Sequence, residues 1–289
     1  MKMMKTRPIK EAALVKKIIT GDTARIVNNS FHNDKPRMIR IDKDHGVNPE
    51  TGELIVFNHA VNRRERMPDF RRSLSALRDI ILTNVTDLSR CFLVTITYDE
   101  NVSDRKQLQK DFINFIKKVR RKYGSCEYIK GVEFQGRGAL HCHVILIFDE
   151  IPPVSIGEEQ IRKCWELGSV NAGQIASADA TAKYLTNFPF EYQQHREHWD
   201  DYCKSKKQKK SERVAFYKSG SRLYSCSSGI QRPIVVKGIT YAEAKESLGD
   251  AECIDAKTLV YDNCNVVTIE NYRVKEGSDA ADQNHSRCS

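Results

Sequence analysis

The sequence lacks the features that mark several large classes of protein. It has no run of 18 apolar residues, which excludes a membrane-spanning helix. Its basic N-terminus has no continuous apolar stretch of the kind found in secretory signals. Glycine (15 residues) and proline (8 residues) are too few for a collagen-like or low-complexity chain. These absences leave a globular protein with no membrane partner.

The cysteines exclude two further kinds of site. There are nine cysteines and no CxxC pair, so neither a zinc ribbon nor a redox-active pair is indicated. Scattered cysteines of this kind are typical of small buried side chains in a reducing compartment. We therefore expect a cytoplasmic protein.

Charge is what the sequence has in excess. The 289 residues include 47 Lys and Arg against 38 Asp and Glu, a formal net charge of +9. An excess of this sign points to a polyanionic partner such as nucleic acid. The basic residues cluster before residue 73 and in the run 204–213, whereas the C-terminal region is acidic.

Apolar periodicity predicts an α+β arrangement in the middle of the chain. Strands are predicted at 91–98, 128–134, 141–148 and 169–175, and helices at 104–122, 158–167 and 180–188. The order β-α-β-β-α-β-α is related to the ferredoxin-like split unit. We expect a mostly antiparallel sheet with the helices packed on one face. A further helix should precede it, because Leu74, Leu77, Ile81 and Val85 recur at helical spacing.

The segment His141-Cys142-His143 opens one of these strands. Side chains two positions apart on a strand project to the same face, so the two imidazoles should point together. Cys142 should point to the opposite face, which makes it a poor candidate for a shared ligand set. Two neighbouring imidazoles are a common beginning of a metal site.

A turn signal at 135–138 predicts that the strand before it pairs with the histidine strand as a hairpin. If the turn centres near Arg137, Glu133 lies across from His141. Two imidazoles and one carboxylate suit Mn²⁺ or Mg²⁺ acting as a Lewis acid on a phosphate. We predict that Glu133, His141 and His143 bind this metal, the alternative being two ordinary strand histidines beside a surface glutamate.

Three segments carry a resemblance to a known family: FLVTITY at 92–98, GRGALHCHVILIF at 136–148 and AKYLTNF at 182–188. In this order they resemble the strand, two-histidine and tyrosine motifs of the HUH endonucleases. The resemblance is to the rolling-circle replication initiators of small phages and Gram-positive plasmids, and Glu133 is placed like their acidic ligand. A fourth segment, RLYSCSSGIQRP at 222–233, is similar to one found downstream in Gram-positive members.

The resemblance implies a site-specific, metal-dependent DNA nickase with strand-joining activity that initiates rolling-circle replication at an origin. Tyr184 would attack a phosphodiester of single-stranded DNA and leave a 5′-phosphotyrosine link and a free 3′-OH. Phenols ionise near about pH 10 and are weak nucleophiles at neutral pH, so the metal ion would have to polarise the phosphate. The ATPase P-loop motif is absent from the sequence, so a host helicase and polymerase are expected partners.

Two positions depart from the family pattern. Members often have a lysine three residues after the first tyrosine and a second tyrosine one residue later, where this chain has Asn187 and Phe188. The missing tyrosine implies a single-tyrosine enzyme. The missing lysine leaves the residue that steadies the phosphate unassigned, because Lys183 lies about 100° around the helix from Tyr184.

Basic and polar side chains elsewhere are candidates for contacts to the DNA backbone. We predict such contacts at Arg71, Arg72, Lys117, Lys118, Arg121, Arg137, Lys183, Asn187, Lys206 and Lys207. Each cluster by itself is more often a solvated face or a loop.

These assignments divide the chain into four parts. They are an N-terminal basic region (1–68), an HUH nickase domain (69–190), a basic DNA-contacting extension (191–235) and an acidic C-terminal region (236–289). We expect the tail from residue 277 to be disordered.

Other interpretations remain open at this point. A mobilisation relaxase or a transposase would use the same single tyrosine, although relaxases usually carry three histidines and minimal transposases are shorter. A non-catalytic nucleic-acid-binding protein could use the same sheet, with Tyr184 as a core residue. That interpretation predicts that Tyr184 does not converge with Glu133, His141 and His143.

Overall fold

The computed structural model describes residues 2–4, 6–30, 38–135, 138–152, 156–186, 212–260 and 265–274. The predictions for Arg137, Asn187, Lys206 and Lys207, and for the tail from residue 277, lie outside these ranges. None of the described helices combines the length and the apolar character that crossing a bilayer requires.

The described strands and helices are named in chain order. The first part of the chain contains β1 (Lys2–Met4), β2 (Leu14–Thr20), β3 (Thr23–Asn29), β4 (Ile39–Arg40), β5 (His45–Val47) and β6 (Leu54–Val56). The middle contains α1 (Met67–Asn84), β7 (Cys91–Thr97), α2 (Arg105–Tyr123), β8 (Cys126–Phe134), β9 (Leu140–Phe148), α3 (Glu158–Arg162), β10 (Val170–Gln174) and α4 (Ala178–Thr186). β11 (Tyr224–Cys226), β12 (Ile234–Thr240), α5 (Tyr241–Glu246), β13 (Glu252–Val260) and β14 (Val266–Arg273) follow.

The chain forms two compact units, one of residues 60–232 and one that joins residues 1–59 to residues 233–289. The unit of residues 60–232 holds a five-stranded antiparallel sheet in the order β10-β7-β9-β8-β11. From β7 to α4 the elements follow the order β-α-β-β-α-β-α. The predicted α+β class and antiparallel sheet are confirmed.

The β8–β9 hairpin has the register that the turn signal predicts. Glu133 pairs with His141, and Gly131 pairs with His143. On its other side, β9 pairs with β7, so that Thr95 lies opposite His143. The hairpin therefore places Glu133 beside the two histidines at the centre of the sheet.

The placement of the helices differs from the prediction, because they cover both faces of this sheet. On one face Val94 and Val144 share a core with Phe112 of α2. On the other face Ile145 of β9 belongs to a core that includes residues of both α1 and α4, among them Leu77, Ile81 and Ala182. An amphipathic pattern shows which side of a helix is buried, but it carries no information about which face of a sheet that side covers.

Local signals account for the ends of the helices around this sheet. Asp104 caps the start of α2, where its side chain accepts a hydrogen bond from the backbone N–H of Lys106. Gly124 ends that helix with a φ of 104°, a conformation that costs glycine little. Ser177 precedes α4 and accepts a hydrogen bond from the backbone N–H of Ala180 at 3.2 Å, in agreement with its predicted capping role.

The other unit brings the two ends of the chain together in one sheet. Its six antiparallel strands have the order β1-β13-β14-β3-β2-β12, so β14 near the C-terminus pairs with β3 near the N-terminus. Val15, Ile26, Leu248 and Tyr272 form part of its core. The separate strands β4, β5 and β6 make a small meander. The pairing of distant segments could not be deduced from local pattern, because either end alone lacks a partner for its apolar face.

Candidate active site

Glu133, His141 and His143 form a compact group on the central strands. The Nε2 atoms of the two histidines lie 3.2 Å apart. The Oε2 atom of Glu133 lies 3.1 Å from Nε2 of His143 and 3.5 Å from Nε2 of His141. All three residues are buried, each less than a tenth exposed. One oxygen and two nitrogens thus make a triangle within a largely dry part of the site.

The dimensions and chemistry of this triangle fit a divalent metal ion. Ligand atoms about 2.0–2.2 Å from one ion lie roughly 3 Å from each other when their bonds are close to right angles. Two unprotonated ring nitrogens at this separation repel each other, whereas a cation between them and the carboxylate attracts all three. The group can hold a metal ion, and its mixture of nitrogen and oxygen ligands is compatible with Mn²⁺ or Mg²⁺.

Thr95 supports the ligand role of His143, and sequence reasoning missed it. Its Oγ1 lies 3.0 Å from Nδ1 of His143. When Nδ1–H donates to this hydroxyl, Nε2 carries the lone pair that a metal ligand requires. The signal was available in the sequence, since Thr95 lies in the FLVTITY strand and β7 and β9 are neighbours.

Cys142 faces away from this group, as the alternation of the strand predicts. It belongs to the core that α2 covers and is completely buried. Burial raises the pKa of the Cys142 thiol to about 12. Since the thiolate is the form that binds metals, Cys142 contributes packing and no ligand.

Arg213 is a second residue that sequence reasoning missed as part of the site. It lies in a 3₁₀ helix, Glu212–Phe216. Its guanidinium donates to the backbone carbonyl of Phe134 at 2.8 Å and lies 3.6 Å from Oε1 of Glu133. The cation thus faces one carboxylate oxygen while the other points to the histidines. This arrangement favours the ionised form of Glu133 and holds its orientation.

We predict that Arg213→Ala weakens Mn²⁺ binding by about tenfold, the lower end of what loss of a supporting group costs a metal site. Arg213→Lys should recover part of the affinity, because it keeps the charge but loses the planar hydrogen-bonding geometry. Titration of Mn²⁺ followed by electron paramagnetic resonance measures the change. Lys110→Ala on α2 removes a positive charge at an exposed position and serves as the control. Unchanged Mn²⁺ affinity in Arg213→Ala would show that Glu133 does not depend on this contact.

Tyr184 lies on the same face of the sheet as the metal ligands. Its ring meets that of His143 edge to face, with the ring centroids 5.5 Å apart. The side chain is 50 % exposed, which differs from the buried position of a core tyrosine. The structure thus brings Tyr184 together with Glu133, His141 and His143, which the non-catalytic interpretation did not predict.

Two salt bridges hold the helix that carries Tyr184. Asp179 at the start of α4 binds the guanidinium of Arg78 on α1 at 2.8 Å and Nζ of Lys183 at 2.6 Å. Burial alone would raise the pKa of Asp179, but the hydrogen bonds and charges of Lys183 and Arg78 outweigh this effect and lower the pKa. Lys183 is therefore engaged within its own helix rather than directed at the metal ligands.

We predict that Asp179→Asn lowers the rate of DNA cleavage by about tenfold, because small misplacements of a nucleophile are costly. Metal affinity should stay unchanged, since Asp179 does not contact the ligands. The lowered pKa means that Asp179 stabilises the fold above about pH 4 and that this contribution is lost as the pH falls through the folded-state value. Single-turnover cleavage gives the rate.

Glu159→Gln is the matched control for Asp179→Asn, because it removes a charge from the exposed pair of Glu159 with Lys163 on α3. A rate equal to wild type in Asp179→Asn would show that the salt bridges do not position the tyrosine helix.

The remaining candidates for DNA contact are spread over different surfaces. Lys117, Lys118 and Arg121 lie on α2, which covers the sheet face opposite the metal ligands, and Lys118 pairs with Glu166 at 2.7 Å. Arg71 and Arg72 lie on α1, where Arg72 forms a salt bridge with Asp69 at 3.3 Å. DNA at the metal ligands is therefore on the opposite side of the sheet from the basic surface of α2.

Comparison with known proteins agrees with the location of this site. A family model of replication-associated proteins of the ORF2 type matches residues 91–189. The matched segment starts at β7 and runs through α4, so it includes the three candidate ligands and Tyr184. No similar curated protein and no similar solved structure was found. This segment is similar to a family of proteins associated with replication.

Proposed function

We propose that this protein is a replication initiator that nicks single-stranded DNA at an origin through a covalent tyrosine intermediate and can rejoin the strand. The observation that carries the proposal is the half-exposed Tyr184 packed against His143 of a buried Glu-His-His group. The similarity of residues 91–189 to replication-associated proteins supports the same role.

Each residue of the site has a role in this reaction. Glu133, His141 and His143 would hold the divalent cation, and Thr95 would keep His143 in the ligand tautomer. When bound, the cation supplies Lewis-acid chemistry by withdrawing charge from the scissile phosphate. Tyr184 would present its hydroxyl from α4 to that phosphate, and the salt bridges of Asp179 would limit the motion of the helix.

The nicking step exchanges one phosphate ester for another. The Tyr184 oxygen forms a bond to phosphorus, and the bond from phosphorus to the 3′-oxygen breaks. The tyrosine hydroxyl loses its proton, and the departing 3′-oxygen gains one. The products are a 5′-phosphotyrosine and a free 3′-OH, and attack by a 3′-OH on the phosphotyrosine reverses the step and joins the strand. No external energy source is needed, because the number of phosphate ester bonds is conserved.

A relaxase or a transposase with one tyrosine would carry out the same chemistry in another biological setting. The match to a replication-associated family favours replication over mobilisation and transposition. A host helicase and polymerase would then extend the 3′-OH, since the sequence contains no P-loop motif of its own.

Covalent capture tests the proposal without knowledge of the origin. The full-length protein is incubated with a random pool of single-stranded DNA and Mn²⁺, and strands that remain attached in detergent are sequenced. We expect adducts that require the metal ion, share a common sequence and carry the phosphate on Tyr184 by peptide mass spectrometry. Absence of any adduct in the presence of Mn²⁺ or Mg²⁺, or attachment at another residue, would overturn the proposal.

A further inference from the structure

An open pocket lined by three arginines lies at one edge of the five-stranded sheet, outside the site described above. Arg63 precedes α1, Arg222 precedes β11 and Arg232 follows it, and all three line a pocket of about 390 Å³. Tyr224, Ser225 and Ser73 contribute hydroxyl-bearing side chains to its lining. We call this the arginine pocket.

The arginine pocket has the electrostatics of an anion site. None of the described residues that line it is acidic. Arg222 and Arg232 are exposed, and neither forms a salt bridge within the described part of the chain. Three guanidinium groups from separate segments, with no acid among those lining residues to neutralise them, attract phosphate groups and can bind them through two hydrogen bonds each.

The segment that carries Arg222 is held in place by its backbone. Arg63 donates to the carbonyl oxygen of Ser221 at 2.6 Å. Arg105 at the start of α2 donates to the carbonyl oxygen of Arg222 itself. These bonds fix the main chain beside β11, so the Arg222 guanidinium extends from an ordered base.

The arginine pocket is linked to the metal ligands by one row of residues across the sheet. Tyr224 pairs with Gly131, and Gly131 pairs with His143. Directly paired residues project to the same face, and two strand spacings separate Tyr224 from His143 by about 10 Å. Gly131 leaves this path clear, because among described atoms a side-chain carbon placed there would meet only the carbonyl oxygen of His143, at 3.8 Å.

We propose that the arginine pocket binds a backbone phosphate of the single-stranded DNA, next to the phosphate that Tyr184 attacks. This inference rests on the proposed function and adds to it the path of the strand, from the metal ligands over Gly131 to the edge strand β11. The ligand is a phosphodiester within a strand, because the open edge and the clear path beside Gly131 suit a continuous chain better than a single nucleotide.

The test compares two variants that lose the same number of positive charges. Arg222→Ala/Arg232→Ala removes the pocket cations, and Lys110→Ala/Lys122→Ala removes two lysines from α2, on the opposite face. Both are made in the Tyr184→Phe background with EDTA present, so that only binding is measured. Fluorescence anisotropy with a labelled single-stranded oligonucleotide gives the affinity at several salt concentrations, and thermal unfolding confirms that the variants fold.

We expect the pocket variant to bind at least tenfold more weakly. The slope of its salt dependence should decrease by about 0.7 for each phosphate that the variant no longer binds. The α2 variant should change much less. Arg222→Lys/Arg232→Lys should keep the salt dependence, because it retains the charges. Equal losses of affinity in the pocket and α2 variants would overturn the proposal, since they would indicate a non-specific charge effect.

Two further outcomes separate this proposal from its alternatives. If a mononucleotide binds in a pocket-dependent way and the oligonucleotide affinity is unchanged, the pocket is a nucleotide site and the proposal is wrong. If oligonucleotide binding depends on the pocket but wild-type protein never forms a covalent adduct, the proposed function fails while the DNA-binding site stands. If adducts form normally and binding ignores the pocket, the function stands and this inference fails.

Discussion

Tyr184→Phe is expected to abolish covalent attachment to DNA and to reduce strand cleavage by at least about 10³-fold, because the substitution removes only the attacking oxygen. The aromatic ring that packs against His143 is retained, so the local fold and the metal ligands should be unaffected. Binding of Mn²⁺ and of single-stranded DNA should therefore remain at wild-type strength. The measurement is a denaturing gel of a 5′- or 3′-labelled oligonucleotide chosen by covalent capture.

Tyr123→Phe is the matched control for this prediction. Tyr123 is buried at the end of α2, on the other face of the sheet, and donates to the carbonyl oxygen of Gln160 at 3.0 Å. Its variant loses one hydroxyl and one hydrogen bond, which costs about 1 kcal/mol of stability, but it should cleave DNA like wild type. Cleavage with an adduct in Tyr184→Phe would mean that another residue is the nucleophile.

His143→Ala should remove metal-dependent cleavage almost as completely. His143 makes the shortest contact to Glu133 in the ligand triangle, and Thr95 holds its second ring nitrogen. With two ligands left, we expect the affinity for Mn²⁺ to fall by at least about 100-fold. Loss of Lewis-acid assistance worth several kcal/mol corresponds to a rate about 10³-fold lower at Mn²⁺ concentrations that saturate wild type.

Isothermal titration with Mn²⁺ and cleavage over a range of Mn²⁺ concentrations distinguish affinity from rate in His143→Ala. High Mn²⁺ should restore part of the activity if the remaining two ligands still position the ion. His59→Ala is the control, because His59 pairs with Asp44 in the other unit at 2.7 Å and is exposed. Wild-type Mn²⁺ affinity in His143→Ala would exclude the Glu-His-His group as the metal site.

Much of the candidate site follows from local rules that a sequence displays directly. The alternation of a strand places His141 and His143 on one face, and a short turn sets the register that brings Glu133 opposite His141. Both relationships span fewer than a dozen residues and involve a single hairpin. The capping of α4 by Ser177 is equally local, since it depends on a side chain and the first turn of the helix.

Other parts of the site depend on contacts between segments far apart in the chain. Arg213 reaches Glu133 from a segment about 80 residues later, and Arg222 and Arg232 meet Arg63 across a larger distance in sequence. In the sequence these arginines look like any solvated basic residues. Only the burial of one guanidinium against a carboxylate, and the absence of acids among the described residues that line the arginine pocket, set them apart.

The sequence by itself determined the antiparallel hairpin, the two-histidine face and the order of strands and helices, because hydrophobic period and turn chemistry act over a few residues. The tertiary structure alone decided that α4 lies on the face of the histidines and α2 on the other. It also decided that the two chain ends share one sheet. These choices arise because each amphipathic element buries its apolar side against whichever partner completes a core, and that partner is chosen by packing across the whole fold.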